Sequence, residues 1–181
     1  AYTGPVEAVN CEDAEVVLVT LGSIAGLARE SVARLREQGK RVGLLRIRYM
    51  RPFPAALITK ALAGASAVGV LEKDISFGAE GTVFTNVNSV LQQAGCTTPT
   101  FNFVGGLGGD DITTAQMDAI FDALLDVAAA GGRSCVASSQ SCGDAAAGND
   151  CGLGRVNFLG IDFPDEGQAG RGDADCEGGA R

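Results

Sequence analysis

Val16-Val17-Leu18-Val19-Thr20 carries no polar side chain before its last position. A strand of this kind has no wet face, so it must be covered on both sides, as in a parallel sheet layered between helices. The neighbouring segments supply such helices. After the Gly22-Ser23 turn, Ile24 to Gln38 has Leu27, Ala28, Ser31 and Leu35 on one stripe, a Glu30/Arg34 pair at i,i+4 on the wet face, and Gly39 as a C-terminal stop. Val42 to Ile47 is a second strand. Pro52 and Pro54 bar helix before them and suit a first helical turn, so Ala55 to Ala63 reads as a short helix.

Ala67 to Leu71 is the third strand, followed by the polar corner Glu72-Lys73-Asp74. Val83, Val87, Val90 and Leu91 then repeat at i, i+4, i+7 and i+8, the mark of an amphipathic helix ending at Gly95. Thr100 to Val104 is the fourth strand. Thr113 and Gln116 have capping-box spacing, and Met117, Ile120, Phe121, Leu124 and Val127 or Ala128 form the buried stripe of a last helix. The order βαβαβαβα requires right-handed crossovers, and it gives an α/β three-layer sandwich, a mostly parallel sheet with helices on both faces. Ligands or partners would meet such a sheet at the carboxyl ends of its strands.

With 181 residues, 46% apolar and 20% charged, the chain can bury one core of ordinary size. A composition break near Ala130 divides it, because residues 131–181 hold 12 of the 26 glycines and 4 of the 6 cysteines. The expected organisation is a linker at 1–14, an α/β domain at 15–130, and a Gly/Ala/Cys-rich disordered tail at 131–181. In that tail only Val156 to Phe163 is apolar enough to dock.

The net charge of −8 repels phosphate backbones and anionic lipid at long range, so neither nucleic acid nor membrane is an expected partner. The longest uncharged run, Gly81 to Gly109, is broken by Asn86, Asn88, Gln92, Gln93, Pro99 and several glycines and does not read as a membrane span. Ala1 to Asn10 lacks the basic start and apolar centre of a signal peptide. A core of this size does not need disulfides, so reduced thiols and a cytoplasmic setting are expected for Cys11, Cys96, Cys135, Cys142, Cys151 and Cys176. No histidine is present, which removes Ser-His-Asp triads, His metal sites and every imidazole base.

The strand exits carry the remaining candidates. Thr20-Leu21-Gly22-Ser23 is more simply a tight turn than a phosphate cradle. Gly105-Gly106-Leu107-Gly108-Gly109 comes after the fourth strand rather than the first, misses dinucleotide spacing, and precedes Asp110 and Asp111, which repel a pyrophosphate. Lys40, Arg41, Arg46, Arg48 and Arg51 form a basic stretch with no acid inside it. Arg48 and Arg51, at the second strand's exit, suit bidentate pairing with a partner subunit's carboxylates. The corner Glu72-Lys73-Asp74-Ile75-Ser76-Phe77-Gly78 offers three charges beside an aromatic. Interface residues are therefore expected at Arg48, Arg51, Lys73, Asp74 and Phe77. The tail cysteines contain no C-x-x-C pair, so no metal site is expected.

Four blocks taken together are more specific. Val16 to Gly26, Gly39-Lys40-Arg41-Val42-Gly43-Leu44-Leu45-Arg46-Ile47-Arg48-Tyr49-Met50-Arg51-Pro52-Phe53-Pro54, Val70 to Gly81 and Val104 to Thr113 resemble, in order, the alpha subunit of pyruvate:ferredoxin oxidoreductases. The resemblance covers roughly residues 5–130 and is limited to that subunit's C-terminal, transketolase-C-like domain. Related 2-oxoacid oxidoreductases share versions of the blocks. Asp110 departs from the family, which often has a basic residue there.

The resemblance implies a holoenzyme that decarboxylates pyruvate on thiamine diphosphate and Mg, passes electrons through iron–sulfur clusters to ferredoxin, and forms acetyl-CoA. It implies a structural and assembly role for this chain, with no catalytic, cofactor-binding or metal-binding residue of its own, and the enzyme's other domains or subunits as partners. The alternative from the residues alone is a free-standing α/β module that binds a small anion or a protein without catalysis.

Overall fold

The computed structural model describes residues 4–76, 80–131 and 156–159. Phe77, Cys135, Cys142, Cys151 and Cys176 lie outside the described residues. The elements are β1 (Val6–Val9), β2 (Val16–Leu21), α1 (Ile24–Glu37), β3 (Val42–Ile47), α2 (Ala55–Leu62), β4 (Ala67–Glu72), α3 (Thr82–Gln93), β5 (Thr100–Val104), α4 (Thr114–Ala129) and β6 (Val156–Phe158), with a 3-10 turn at Leu107–Gly109 before α4. They build one mixed sheet in the order β1-β3-β2-β4-β5-β6, parallel except for β1. No helix among the described residues is long and apolar enough to cross a membrane.

The apolar run of β2 is buried on both faces. Val16 and Leu18 join Ala28, Val32 and Leu35 of α1 and Met117, Phe121 and Leu124 of α4, while Val17 and Val19 join Ile58 and Leu62 of α2 and Val83, Phe84 and Val87 of α3. The two helix pairs cover opposite sides, which makes the fold an α/β sandwich. At α4 the capping box forms: Gln116 N donates to Thr113 Oγ1 at 3.2 Å and Thr113 N donates to Gln116 Oε1 at 2.9 Å. In α3 Phe84 is buried with Val83, Val87 and Leu91, and Val90 sits only half-buried beside them. Arg34 does not take Glu30 as its partner; it crosses to Asp118 of α4, where a guanidinium nitrogen meets both carboxylate oxygens and ties the two helices together.

Two segments lie where no strand was expected. Within 1–14, Val6–Val9 pairs antiparallel with β3 in the register Val6↔Ile47 to Val9↔Leu44. This is a four-residue edge strand preceded by Pro5, too short for periodicity to reveal. Beyond 131, Val156–Phe158 adds a parallel strand to β5, inside the one stretch of the tail apolar enough to dock. Leu159 N donates to Val104 O at 2.8 Å. Asn157 Nδ2 donates to Asn102 O at 3.2 Å. A chain ended at Gly131 is therefore expected to lose about 1–2 kcal/mol, the scale of one half-buried leucine and a short edge ladder. Urea melts of both lengths check this; coincident curves would show that β6 adds nothing.

Candidate functional site

The parallel strands deliver their carboxyl ends to one side of the sheet. There α1 leaves β2 toward one face and α3 leaves β4 toward the other, so the exits of β2 and β4 flank the crevice where sheets of this type meet ligands or partners. Glu72, the last residue of β4, is 2% exposed. It is therefore not part of a solvated corner. The first residue of α3 comes directly after Gly81, which has no side chain with which to cap the helix. Glu72 supplies the cap from the neighbouring strand: Oε2 accepts from Val83 N at 2.8 Å and Oε1 from Phe84 N at 3.2 Å. Asn102 of β5 completes the arrangement, donating through Nδ2 to Glu72 Oε1 at 2.7 Å and accepting from Gly81 N through Oδ1 at 2.8 Å.

All three donors favour the carboxylate, but burial disfavours its charge. Burial is the largest effect and, with Asp74 adding repulsion, outweighs the hydrogen bonds from Val83, Phe84 and Asn102, so the Glu72 carboxyl is pushed up from 4.5 to about 7. The chemistry open to this group is proton uptake near neutrality coupled to the grip on α3.

Lys73 lies over the glycine loop, where a Cβ on Gly106 would sit 2.7 Å from its Cε and 3.0 Å from its Nζ. Gly106 is held in the left-handed region at φ 70°. Gly105 N donates to Glu72 O at 3.1 Å, and a Cβ on Gly105 would meet the Leu159 side chain at 2.9 Å. The structure thus joins the charged corner and the glycine loop, two features that sequence left separate. Lys73 and Asp74 are both exposed at this rim.

The basic stretch is treated differently. Arg48 Nη2 donates to Glu7 Oε2 at 2.6 Å, Arg46 Nη1 lies 3.6 Å from the same oxygen, and Arg29 Nη2 donates to Glu7 Oε1 at 2.5 Å. Burial raises the Glu7 carboxyl, but the Arg48 hydrogen bond and the charges of Arg29, Arg48 and Arg46 together hold it below 4.5. Lys40 pairs with Asp122 and Arg41 with Glu15. The acids that the stretch lacks in sequence come from β1, the β1–β2 loop and α4, so Arg48 takes its carboxylate from its own chain. Arg51 stays exposed, with Nη1 donating to Met50 O at 2.7 Å. Cys11 is a buried free thiol, pushed by burial from 9.0 to about 11, and Cys96 is a half-buried free thiol. Among the described residues no three Cys, Asp or Glu side chains converge in a way that could hold a metal.

Sequence reasoning missed Glu72 as a buried group, and with it Asn102 and Gly81. One signal was present: Asn102 interrupts the apolar strand Thr100-Phe101-Asn102-Phe103-Val104, and a polar residue in a doubly covered strand needs a buried partner.

Residues 14–117 match the family model described as pyruvate:ferredoxin oxidoreductase core domain II. The chain is 44% identical over 117 residues to pyruvate synthase subunit PorA of Methanothermobacter thermautotrophicus, covering 65% of this chain and 30% of that protein. Among solved structures it superposes on 2-oxoglutarate:ferredoxin oxidoreductase from Magnetococcus marinus with a TM-score of 0.51 at 20% identity, over 68% of this chain and 20% of the other. It superposes on a split-gene transketolase, an inactive beta4 tetramer, with a TM-score of 0.52 at 18% identity, over 70% and 42%. The chain spans about a third of the length of the curated relatives it matches.

Proposed function

This chain belongs to the pyruvate:ferredoxin oxidoreductase core domain II family, and from that premise we propose that it is the structural and assembly domain of a PorA-type alpha subunit. The enzyme it serves oxidatively decarboxylates pyruvate to acetyl-CoA and passes the electrons to ferredoxin. The domain has the three-layer architecture of a transketolase C-terminal domain, a reading supported by the likeness to the split-gene transketolase. It contributes no catalytic side chain.

One observation carries the structural reading: the carboxyl buried at the exit of β4 is engaged in holding this domain together, Glu72 capping α3, while Arg48 is braced by Glu7. The residues present do not fit a thiamine diphosphate cradle. The glycine loop misses dinucleotide spacing and runs on into Asp110 and Asp111, whose carboxylates repel a diphosphate. Thiamine diphosphate, Mg and iron–sulfur clusters belong in this reading to the enzyme's other domains. Its partners are those domains or subunits, and ferredoxin through the assembled enzyme. Arg48, Arg51, Lys73 and Asp74 at the exits of β3 and β4, together with Phe77, meet the partner in this reading, Arg48 held in place by Glu7.

The experiment is reconstitution. With the remaining polypeptides of the enzyme, the chain is expected to co-purify and to support pyruvate- and coenzyme A-dependent viologen reduction; alone it is expected to give none. Turnover by the chain alone, or an assembled enzyme of full activity without it, would sink the reading.

A further inference from the structure

Glu7 of β1, Arg46 of β3 and Thr20 of β2 stand in register across the sheet and so share a face, the one that Leu18 and Leu44 turn toward α1 and α4. Glu7 has two oxygens, and both are taken. Arg29 Nη2 donates to Oε1 at 2.5 Å and Arg48 Nη2 to Oε2 at 2.6 Å, so Arg46 is left at 3.6 Å, attracted to the carboxylate but without a hydrogen bond to it. Its Nε is buried and has no hydrogen-bond partner among the described residues. On the next strand the Thr20 hydroxyl is fully buried and has none either. Buried donors are ordinarily satisfied, and two orphans in adjacent register positions mark a place for an acceptor that the described residues do not supply.

We propose that this row is a binding site for a small organic carboxylate, held by the Arg46 guanidinium and the Thr20 hydroxyl. Two features select that chemistry. An arginine whose carboxylate is claimed by two others offers a planar fork matched to a second carboxylate, whereas a bridging water would satisfy the hydrogen bonds and leave the charge unanswered. The hollow that Arg46 lines, about 390 Å³, has Leu21, Ile47 and Met50 as apolar walls, with Gly22 and Arg48 completing it and no acid among its lining residues. An acid on a short apolar stem suits both parts of such a hollow, while inorganic phosphate would turn polar oxygens onto three apolar side chains. The site goes beyond the assembly reading and does not rest on it. Arg46 lies inside β3, short of Arg48, and is not one of the residues assigned to the partner.

The test uses the full chain, isotope-labelled for nuclear magnetic resonance, with sodium butyrate as the probe in chloride-free buffer. The Arg46 Nε–H resonance is expected to move and to saturate in the millimolar range, and sodium phosphate or sodium chloride at the same ionic strength is expected to leave it in place. Thr20→Val removes a hydroxyl that has no partner, so the thermal midpoint is expected to stay or rise while butyrate affinity falls about tenfold. Arg46→Lys keeps the charge and loses the fork, and affinity, read on the Gly22 amide, is expected to fall at least as far. If Arg46→Lys folds poorly, the natural chain's resonance and Thr20→Val still decide. The absence of a saturable shift up to about 50 mM butyrate, an equal response to phosphate or chloride, or unchanged affinity in both variants would overturn the proposal. A shift produced only by the enzyme's other polypeptides would make a partner's side chain the occupant and overturn it too.

Discussion

Gly81→Ala is expected to destabilise the chain by about 3 kcal/mol and to lower its thermal midpoint by on the order of 10 °C. Backbone strain has no part in this, because Gly81 sits at φ −70° and ψ 153°, a conformation open to any residue. Space decides it. A Cβ at position 81 would lie 1.9 Å from Glu72 Oε1 and 2.0 Å from Glu72 Cδ, inside the carboxylate itself. Either Glu72 or the start of α3 must move, and either movement separates Val83 N–H, Phe84 N–H and Asn102 Nδ2 from their acceptor in a region closed to water. Gly26→Ala is the control, for it lies on the exposed side of α1 with nothing within 4 Å of an added Cβ. There the same methyl group is expected to stabilise by about 0.5–1 kcal/mol, since alanine restricts the unfolded chain and glycine does not. Thermal melts of the two variants beside the natural chain give the answer; a Gly81→Ala midpoint within about 2 °C of the natural one would show that the cap is loose.

The second large effect is the response of stability to pH. The Glu72 carboxyl titrates near 4.5 in the unfolded chain and at about 7 in the folded one. Below 4.5 it is protonated in both states. Between these values the folded chain holds a proton that the unfolded chain has released, so its contribution to stability is greatest below 4.5 and is lost as pH rises through 7. The shift corresponds to about 3 kcal/mol over that interval. Glu7 and Asp13 run the other way: their carboxyls are lowered, and their pairs with arginine weaken as pH falls through the acid range. Glu72→Gln isolates the first effect. Between about pH 5 and pH 8 the stability of the Gln variant relative to the natural chain is expected to rise by about 2–3 kcal/mol, whatever the difference at the acid end. Urea melts at the two values suffice, and a constant difference would mean that Glu72 is ionised in the fold throughout.

The layers of the molecule were legible in local pattern. Val16 to Thr20 demanded two covered faces, Met117 to Ala128 marked one helix stripe, and Thr113 with Gln116 announced the start of α4; in each case the signal lies within about a dozen residues and rests on backbone period and capping chemistry. The same holds for Gly22-Ser23, read as a tight turn and found as one between β2 and α1, with Gly22 at φ 79°. Val6–Val9 and Val156–Phe158 were not legible as strands, because so few residues contain too few repeats of a two-residue period and their pairing partners lie far along the chain.

Local pattern therefore sets the alternation of strand and helix and the apolar stripe of each element, since these depend on neighbours a few residues apart. Which charges are buried, and which carboxylate each arginine takes, is settled by contacts between elements distant in the chain. Glu72 reads as the first member of a solvated corner until the parallel register of β4 and β5 sets Asn102 beside it and α3 closes over both. Arg48 reads as a cation without an acid until β1 folds back along β3 and brings Glu7 to it across 41 residues. Periodicity encodes which face of an element is apolar, but the free energy of a buried charge depends on donors and acceptors supplied by other elements, and that supply exists only once the sheet is assembled.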